Sequence, residues 1–198
     1  MATGIRYLAL LRGVNVGGRN LVKMTDLRAA FEGMGFEDVA TYIASGNVLF
    51  RAPRQKRESL AARLESELSR RFGLELKAVL LTEAQLRGVV EEAPCEFGAD
   101  SDLSDVIFVR SPLTVKQAFA LLEFKEDVDR AWAGKGVIYF SRLASRASSS
   151  RLSKFAALPV YKSVTVRAWS TTQKLSALIE SRGRVGREVG GASPSSAQ

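Results

Sequence analysis

The feature of the sequence that most constrains the fold is the order in which apolar runs and helical patterns alternate. Residues 5–11 form an apolar run, residues 24–34 repeat apolar side chains at helical spacing, and two apolar runs flank a Ser-Gly-Asn turn at residues 45–47. An amphipathic stretch, with its apolar stripe between Leu60 and Phe72, and an alternating stretch (residues 74–80) follow. Apolar or alternating runs are typical of strands, and helical spacing predicts helices. The first half therefore reads β-α-β-β-α-β.

This order predicts an α+β fold whose first domain is ferredoxin-like, with a βαββαβ arrangement. In that arrangement the first and second strands run parallel, and the third strand lies between them. The loop after the first strand (residues 12–20) and the hairpin tip (residues 45–47) then lie at the same end of the sheet. We therefore expect these two segments to be neighbours in space.

The second half of the chain repeats the same rhythm and predicts a second small α+β domain. Pro94, Gly98 and several acidic residues interrupt the periodicity between the halves, as in a linker. The C-terminus is rich in Gly, Ser and Pro, which is typical of disorder. The predicted division is a ferredoxin-like domain (1–92), a linker (93–103), a second α+β domain with a basic surface (104–182) and a disordered tail (183–198).

Local sequence signals predict where several helices begin and end. Thr82 is followed three residues later by Gln85, the pattern of a capping box, and Thr114 is the expected N-cap of a later helix. Thr25 is the expected N-cap of the first helix, and Gly73 is expected to end the second. These signals support the boundaries that periodicity suggests.

Composition narrows the chemistry that is open to the chain. It has 198 residues, one cysteine and no histidine. The lack of histidine excludes Ser-His-Asp and Cys-His catalysis and any His-ligated metal site. We therefore expect no metal and no cofactor. No apolar run approaches the ~20 residues of a membrane helix, and the N-terminus lacks a signal-peptide layout, so we expect a cytoplasmic protein that does not bind membranes.

The glycine loop, residues 12–20, is the first candidate binding site. Its sequence RGVNVGGRN resembles a phosphate loop but lacks the Lys-Ser/Thr ending of that motif. Backbone N–H groups of glycine-rich loops attract anions, and two arginines would add charge. The alternative is a tight turn without a ligand. With the adjacent hairpin tip, the candidate ligand- or anion-binding residues are Arg12, Gly13, Asn15, Gly17, Gly18, Arg19, Asn20, Ser45 and Asn47.

An acid-free stretch at residues 130–179 is the second candidate site. It holds nine basic side chains, whereas residues 1–129 balance 17 basic against 19 acidic ones, so the net charge of +8 is concentrated here. Basic side chains interleaved with aromatic ones suit a nucleic-acid surface. The alternative is a solvated basic face over core aromatics. The residues that we assign to this basic surface are Arg142, Arg146, Arg151, Lys154, Arg167, Trp169 and Lys174.

Three segments together resemble a known bacterial family. They are LLRGVNVGGRN at residues 10–20, TYIASGNVLF at residues 41–50 and RAWSTTQKL at residues 167–175. In order and spacing they resemble domain-of-unknown-function family 1697. The resemblance implies two α+β domains, the first ferredoxin-like, which agrees with the pattern above. It supplies no catalytic residue.

These observations favour a protein that binds a phosphate-bearing partner, nucleic acid first. The glycine loop and the basic second domain would form the binding surface. One alternative is an enzyme that acts on a small anionic or nucleotide substrate without histidine or bound metal. A second alternative is a protein-interaction module.

Overall fold

A computed structural model describes residues 4–15, 18 and 20–188, with side chains described as far as residue 182. The chain forms two halves of the same layout. The first half comprises β1 (Ile5–Arg12), α1 (Met24–Gly33), β2 (Glu37–Tyr42), β3 (Asn47–Ala52), α2 (Arg57–Phe72), β4 (Lys77–Thr82) and α3 (Glu83–Glu91). The second comprises β5 (Asp102–Val109), α4 (Val115–Phe119), β6 (Asp129–Ala133), β7 (Val137–Leu143), α5 (Leu152–Ala157), β8 (Val164–Ala168) and α6 (Trp169–Glu188).

Each half contains one four-stranded sheet. The strand orders are β2-β3-β1-β4 and β6-β7-β5-β8, and the paired strands are antiparallel throughout. This is the strand order that a βαββαβ chain adopts when each helix crosses over to a parallel strand with one strand between. The α+β class is therefore confirmed, and the second half has the same topology as the first.

The central strand β1 explains why its sequence is continuously apolar. Successive side chains of a strand point to opposite faces. Tyr7, Ala9 and Leu11 pack toward α1 and α2, whereas Leu8 and Leu10 face the other half of the molecule. All five are buried, so neither face of β1 tolerates a polar residue.

The two sheets contribute their inner faces to one shared core, and α3 and α6 pack into the same layer. Burial of apolar area at about 25 cal/mol per Å² makes such a core a strong link between the halves. The predicted division of the chain into two domains at residues 93–103 stays a prediction. The shared core consists of Leu8, Leu10, Leu49, Leu81, Leu86, Val89, Phe97, Val106, Phe108, Val137, Tyr139, Leu175 and Ile179.

The capping box at Thr82 and the cap at Thr114 are confirmed, and the structure shows that Thr114 also forms a capping box, with Gln117. Gly73 ends α2 in the left-handed conformation at φ 65°. The expected cap at Thr25 is wrong, because α1 begins at Met24 and its N-cap Lys23 makes no side-chain cap bond. Lysine has no acceptor atom, so this helix starts without the side-chain bond that Thr82 supplies to α3.

Two predicted boundaries also differ from the structure. The linker was expected to reach residue 103, but β5 begins at Asp102, where the backbone pairs with Leu143 of β7. The disordered tail was expected from residue 183, but α6 continues to Glu188. A glycine lowers helix propensity by only about 1 kcal/mol, so a helix already formed can pass through it. The tail residues 189–198 lie outside the described residues.

Candidate functional site

The side chain of Asn15 ties the glycine loop to the hairpin turn between β2 and β3. Its Nδ2 donates to the carbonyl oxygens of Val22 at 3.1 Å and Ala44 at 2.9 Å, and its Oδ1 accepts from the Val22 N–H at 2.8 Å. The two segments therefore lie side by side, which confirms the expected proximity. The polar atoms of Asn15 are used within the chain.

The remainder of the described loop forms a closed turn. Asn20 donates from Nδ2 to the Gly13 carbonyl at 2.9 Å, and the Asn15 N–H donates to the Asn20 carbonyl at 3.0 Å. Gly13 has φ 94°, and a Cβ there would lie 2.9 Å from the Glu75 carbonyl oxygen, so only glycine fits. Gly18 is exposed with φ 74°. Gly17 and Arg19 lie outside the described residues.

Asn47 is the first residue of β3 and is fully buried, so it does not form part of an exposed tip. Its Nδ2 donates to the Tyr42 carbonyl at 3.1 Å and to the Ser45 Oγ at 2.8 Å. Gly46 closes the turn: its carbonyl accepts from the Leu11 N–H at 2.8 Å. We expected Ser45 and Asn47 to bind a ligand, but both side chains are occupied by hydrogen bonds inside the turn.

Arg167 on β8 completes this cluster from the other half of the molecule. Its Nε donates to Asn47 Oδ1 at 2.6 Å, and its Nη2 donates to the carbonyl oxygens of Leu11 at 2.9 Å and Ser45 at 2.8 Å. Its Nη1 donates to Thr165 Oγ1 and to the Val166 carbonyl. All five N–H groups of a guanidinium can be satisfied in this way.

Burial lowers the pKa of Arg167 to about 10, so the group stays charged at neutral pH. Its assignment to an exposed basic surface is therefore corrected: Arg167 is half-buried, and its guanidinium links the two halves by hydrogen bonds. Basic sequence context alone does not reveal this, because three of the five acceptors lie more than 100 residues away in the chain.

Trp169 and Lys174 have separate environments. The Trp169 ring packs on Phe97 with centroids 5.0 Å apart, and a Cβ on Gly98 would lie 2.7 Å from its Nε1. Trp169 is therefore a packing residue at the start of α6 rather than an exposed stacking platform. Lys174 is exposed on α6.

Four of the nine cations in the acid-free stretch pair with carboxylates from residues 92–123. Arg142 pairs with Asp105, and Lys154 pairs with Glu123 at 2.6 Å. Outside our assigned set, Arg130 and Lys135 also have carboxylate partners, Asp102 and Glu92. The basic surface is therefore smaller than the sequence suggests, because residues distant in sequence supply the compensating charge. Arg146 is exposed and Arg151 half-buried, and neither forms an ion pair within the described part of the chain.

Four cations from both halves meet where β1, β4 and β8 come together. Arg12, Lys77, Arg110 and Lys162 line one shallow depression, and the Cζ of Arg12 lies 4.7 Å from the ring centroid of Tyr161. We call these four cations and Tyr161 the seam patch. Sequence patterns assign Arg12 to the glycine loop and place Lys162 and Tyr161 in the acid-free stretch. They do not indicate Lys77 or Arg110, because both lie in stretches with balanced charge.

Charge in the seam patch is only partly compensated. Glu65 accepts two hydrogen bonds from Arg110, at 3.0 and 2.9 Å, and lies 3.9 Å from Lys77. Arg12 instead donates to the Val164 carbonyl at 3.3 Å, and Lys162 is exposed. Neither Arg12 nor Lys162 has a carboxylate partner in the described structure. The seam patch therefore keeps unneutralised positive charge beside a half-buried aromatic ring.

Metal-ligand clusters and membrane-spanning helices are both absent from the described residues. Within residues 4–15, 18 and 20–188, no group of three or more His, Cys, Asp or Glu side chains is placed to hold a metal ion. None of the helices in that part of the chain is both long enough and apolar enough to cross a membrane.

These features define an α+β protein of two βαββαβ halves, joined by a shared core and a hydrogen-bonded arginine. The chain belongs to the family described as "Protein of unknown function (DUF1697)", whose model matches residues 5–139. The resemblance of the first two signature segments is thereby confirmed, and the third segment lies beyond the matched residues.

A solved structure with a similar fold is that of the conserved bacterial protein SP0830 from Streptococcus pneumoniae. The two structures align with a TM-score of 0.79 at 27% identity, covering 89% of this chain and 99% of that one. No curated protein matches the sequence.

Proposed function

We propose that the protein binds a phosphate-bearing partner, nucleic acid first, through the seam patch. The observation that carries this proposal is the convergence of four cations from both halves around one depression, where Arg12 and Lys162 have no carboxylate partner among the described residues. Cations without internal partners can neutralise backbone phosphates and release counterions. The half-buried ring of Tyr161 adds a face on which a base can stack.

The proposal moves the site away from the position that the sequence favoured. The side chains of Asn15, Ser45, Asn47 and Arg167 form hydrogen bonds within the chain. In this proposal they support the site by holding its edges in place. Arg146 and Arg151, which have no ion pairs in the described structure, extend the positive charge along the second half. The alternatives are an enzyme on a small anionic or nucleotide substrate and a protein-interaction module.

The experiment is a fluorescence-anisotropy titration of a labelled single-stranded DNA oligonucleotide at a series of salt concentrations. We expect the affinity of the wild-type protein to fall steeply with salt. In the double variant Lys77→Ala/Lys162→Ala, affinity drops and the slope of log K against log salt flattens by about 1.5 or less. Both residues are partly or fully exposed, so the variant is expected to fold normally.

The matched control is Arg54→Ala/Lys56→Ala, which removes the same charge. These residues follow Ala52, which pairs with Ile5 at the far end of β1 from Arg12. Equal losses in both double variants would assign binding to net charge alone and contradict a site at the seam patch. Saturable, salt-insensitive binding of a mononucleotide, with no oligonucleotide binding, would favour the enzyme instead.

A further inference from the structure

A cleft of about 360 Å³ opens between the halves, and Val79 in its lining also lines the depression of the seam patch. Its walls come from β4 and α3 on one side and from β5, β7 and the turn before β7 on the other. A second cleft of about 390 Å³ continues from it and shares five lining residues. The shared residues are Arg57, Val79, Leu80, Val109 and Gly136.

This cleft is the counterpart of the Arg167 cluster under the approximate twofold relation of the two sheets. The Leu11 N–H bonds to the Gly46 carbonyl, and the Val109 N–H bonds in the same way to the Gly136 carbonyl. The two glycines have similar φ values of 72° and 77°. The ends of the β2–β3 and β6–β7 hairpins are therefore equivalent positions in the two halves.

The polar side chains that fill the Arg167 cluster have no counterpart in the cleft. Arg167 pairs with Val106 in β5, and the equivalent place in β4, opposite Leu8, is held by Leu81. Asn47 is likewise replaced by Val137, which pairs with Phe108 as Asn47 pairs with Leu10. Because aliphatic residues replace the guanidinium and the amide, this position stays open and its walls are apolar.

Gly88 in the interior of α3 keeps the cleft deep. A Cβ at this position would meet only Glu92 Oε1, at 3.9 Å, and its φ is not positive. Neither packing nor backbone geometry therefore requires glycine, although glycine in a helix interior costs about 1 kcal/mol relative to alanine. Ala84, one turn earlier, lines the same cleft. Small residues at these two positions preserve volume that a side chain could fill.

The edge of β4 does not accept an added peptide strand. Strand addition needs successive outward N–H and C=O groups to be free. The Ala78 N–H already donates to Glu65 at 2.9 Å, and the Thr82 N–H donates to Gln85 at 3.0 Å. The alternation of the β1–β4 ladder leaves the Leu80 N–H facing outward between them, without a partner in the described structure. A single free donor suits a small molecule, not a strand.

The charged side chains at the rim of the cleft indicate whether that molecule is an anion or a cation. At the rim, Lys135 is paired with Glu92 at 2.7 Å and Arg110 with Glu65 at 2.9 Å. Arg57 makes no ion pair with a described residue; it donates weakly to the Leu80 carbonyl at 3.4 Å. The unneutralised guanidinium and the free Leu80 N–H both belong to the lining of this cleft. Together they are donors for an oxyanion.

We infer that this cleft binds a small organic anion with an apolar body. The body lies over Ala84 and Gly88 between Val79, Val109 and Val137, and the anionic group meets Arg57 and the Leu80 N–H. The inference does not rest on nucleic-acid binding at the seam patch, and its test uses different residues.

The test is a fluorescence titration of the native protein with anilinonaphthalene sulfonate, an anion with an aromatic body. We expect saturable binding to one site. Gly88→Leu fills the cleft and weakens binding by about tenfold or more, whereas Gly33→Leu at the end of α1 leaves it unchanged. Gly88→Ala raises the unfolding temperature because it removes the helix cost of glycine. Ala84→Leu serves as a second cleft-filling variant if Gly88→Leu does not fold.

The charge assignment is tested with Arg57→Gln. Its affinity for the sulfonate falls several-fold, while its affinity for neutral phenylnaphthylamine stays at the wild-type value. Competition by a medium-chain fatty acid or by an aryl phosphate then identifies which oxyanion the cleft prefers. Wild-type affinity in a folded Gly88→Leu or Ala84→Leu variant would overturn the inference, as would equal losses of both probes in Arg57→Gln.

Discussion

The side-chain amide of Asn15 makes hydrogen bonds to the backbone of two segments, Val22 and Ala44, and its own backbone has φ 52°. Asparagine tolerates this left-handed conformation better than most residues because its short side chain can bond locally. The residue therefore serves both the shape of the glycine loop and its attachment to the hairpin turn.

Two substitutions separate these roles of Asn15. Asn15→Gly keeps the left-handed backbone but loses the side-chain bonds, so we expect a loss of about 1–2 kcal/mol in unfolding free energy. Asn15→Ala keeps a Cβ in the left-handed region but lacks the short polar side chain that makes this conformation tolerable, so it costs about 1 kcal/mol more than Asn15→Gly. Urea denaturation measures both values. Asn20→Gly, which removes one exposed hydrogen bond, is the control with a smaller loss.

Two outcomes for Asn15→Gly and Asn15→Ala would contradict these expectations. Equal stability of Asn15→Gly and the wild-type protein would show that the side-chain bonds contribute nothing net. Equal stability of Asn15→Gly and Asn15→Ala would show that the positive φ imposes no strain on alanine.

At the scale of elements, the contact of β7 with α3 depends on Tyr139. Its hydroxyl donates to the Val89 carbonyl at 2.8 Å, at the end of a buried ring. Burial, with a smaller contribution from the negative charge of Glu92, raises the pKa of Tyr139 to about 12. The neutral phenol is thus favoured in the folded chain.

A pH dependence of stability follows from this pKa. The unfolded phenol titrates near pH ~10, so above that pH the unfolded chain releases the proton more readily than the folded one. The stabilisation by Tyr139 is complete below pH ~10 and is lost as the pH rises toward ~12. Tyr139→Phe should cost about 1 kcal/mol at neutral pH. It should also show a shallower alkaline decline, measured by urea midpoints. Parallel declines in both proteins would contradict this assignment.

At the scale of the whole molecule, a hydrogen bond between Arg167 and Asn47 joins the two halves. At the equivalent place on the other side of the shared core, Leu81 and Val137 stand instead of the arginine and the asparagine. Removing one partner of a buried hydrogen-bonded charge leaves the other unsatisfied. We therefore expect Arg167→Leu and Asn47→Val each to cost about 3 kcal/mol or more in unfolding free energy.

The double variant tests whether the two residues act as a unit. Arg167→Leu/Asn47→Val recreates the apolar pair found at the equivalent place, so its loss should be smaller than the sum of the single losses by at least about 1 kcal/mol. Equilibrium urea unfolding of the four proteins gives the coupling. Additive losses would contradict a direct link and assign both effects to separate packing defects.

Much of the fold follows from the sequence by itself because its signals are local. The apolar run of β1, the helical spacing of α2 and the cap signals of α3 and α4 depend on residues a few positions apart. The order of these elements then leaves one favoured strand arrangement, which predicts that residues 12–20 and 45–47 are neighbours. The contact between the glycine loop and the hairpin turn was therefore predictable, although its purpose was not.

Only the tertiary structure decided which polar groups remain available to a partner. Arg142 pairs with a carboxylate on β5, Lys154 pairs with one between α4 and β6, and Arg167 donates to carbonyl groups more than 100 residues away. Whether a charge is paired or buried depends on its distance in space from other groups, and those groups can come from anywhere in the chain. The seam patch and the cleft over Gly88 arise in the same way, because each is formed by surfaces of both halves that local sequence patterns do not describe.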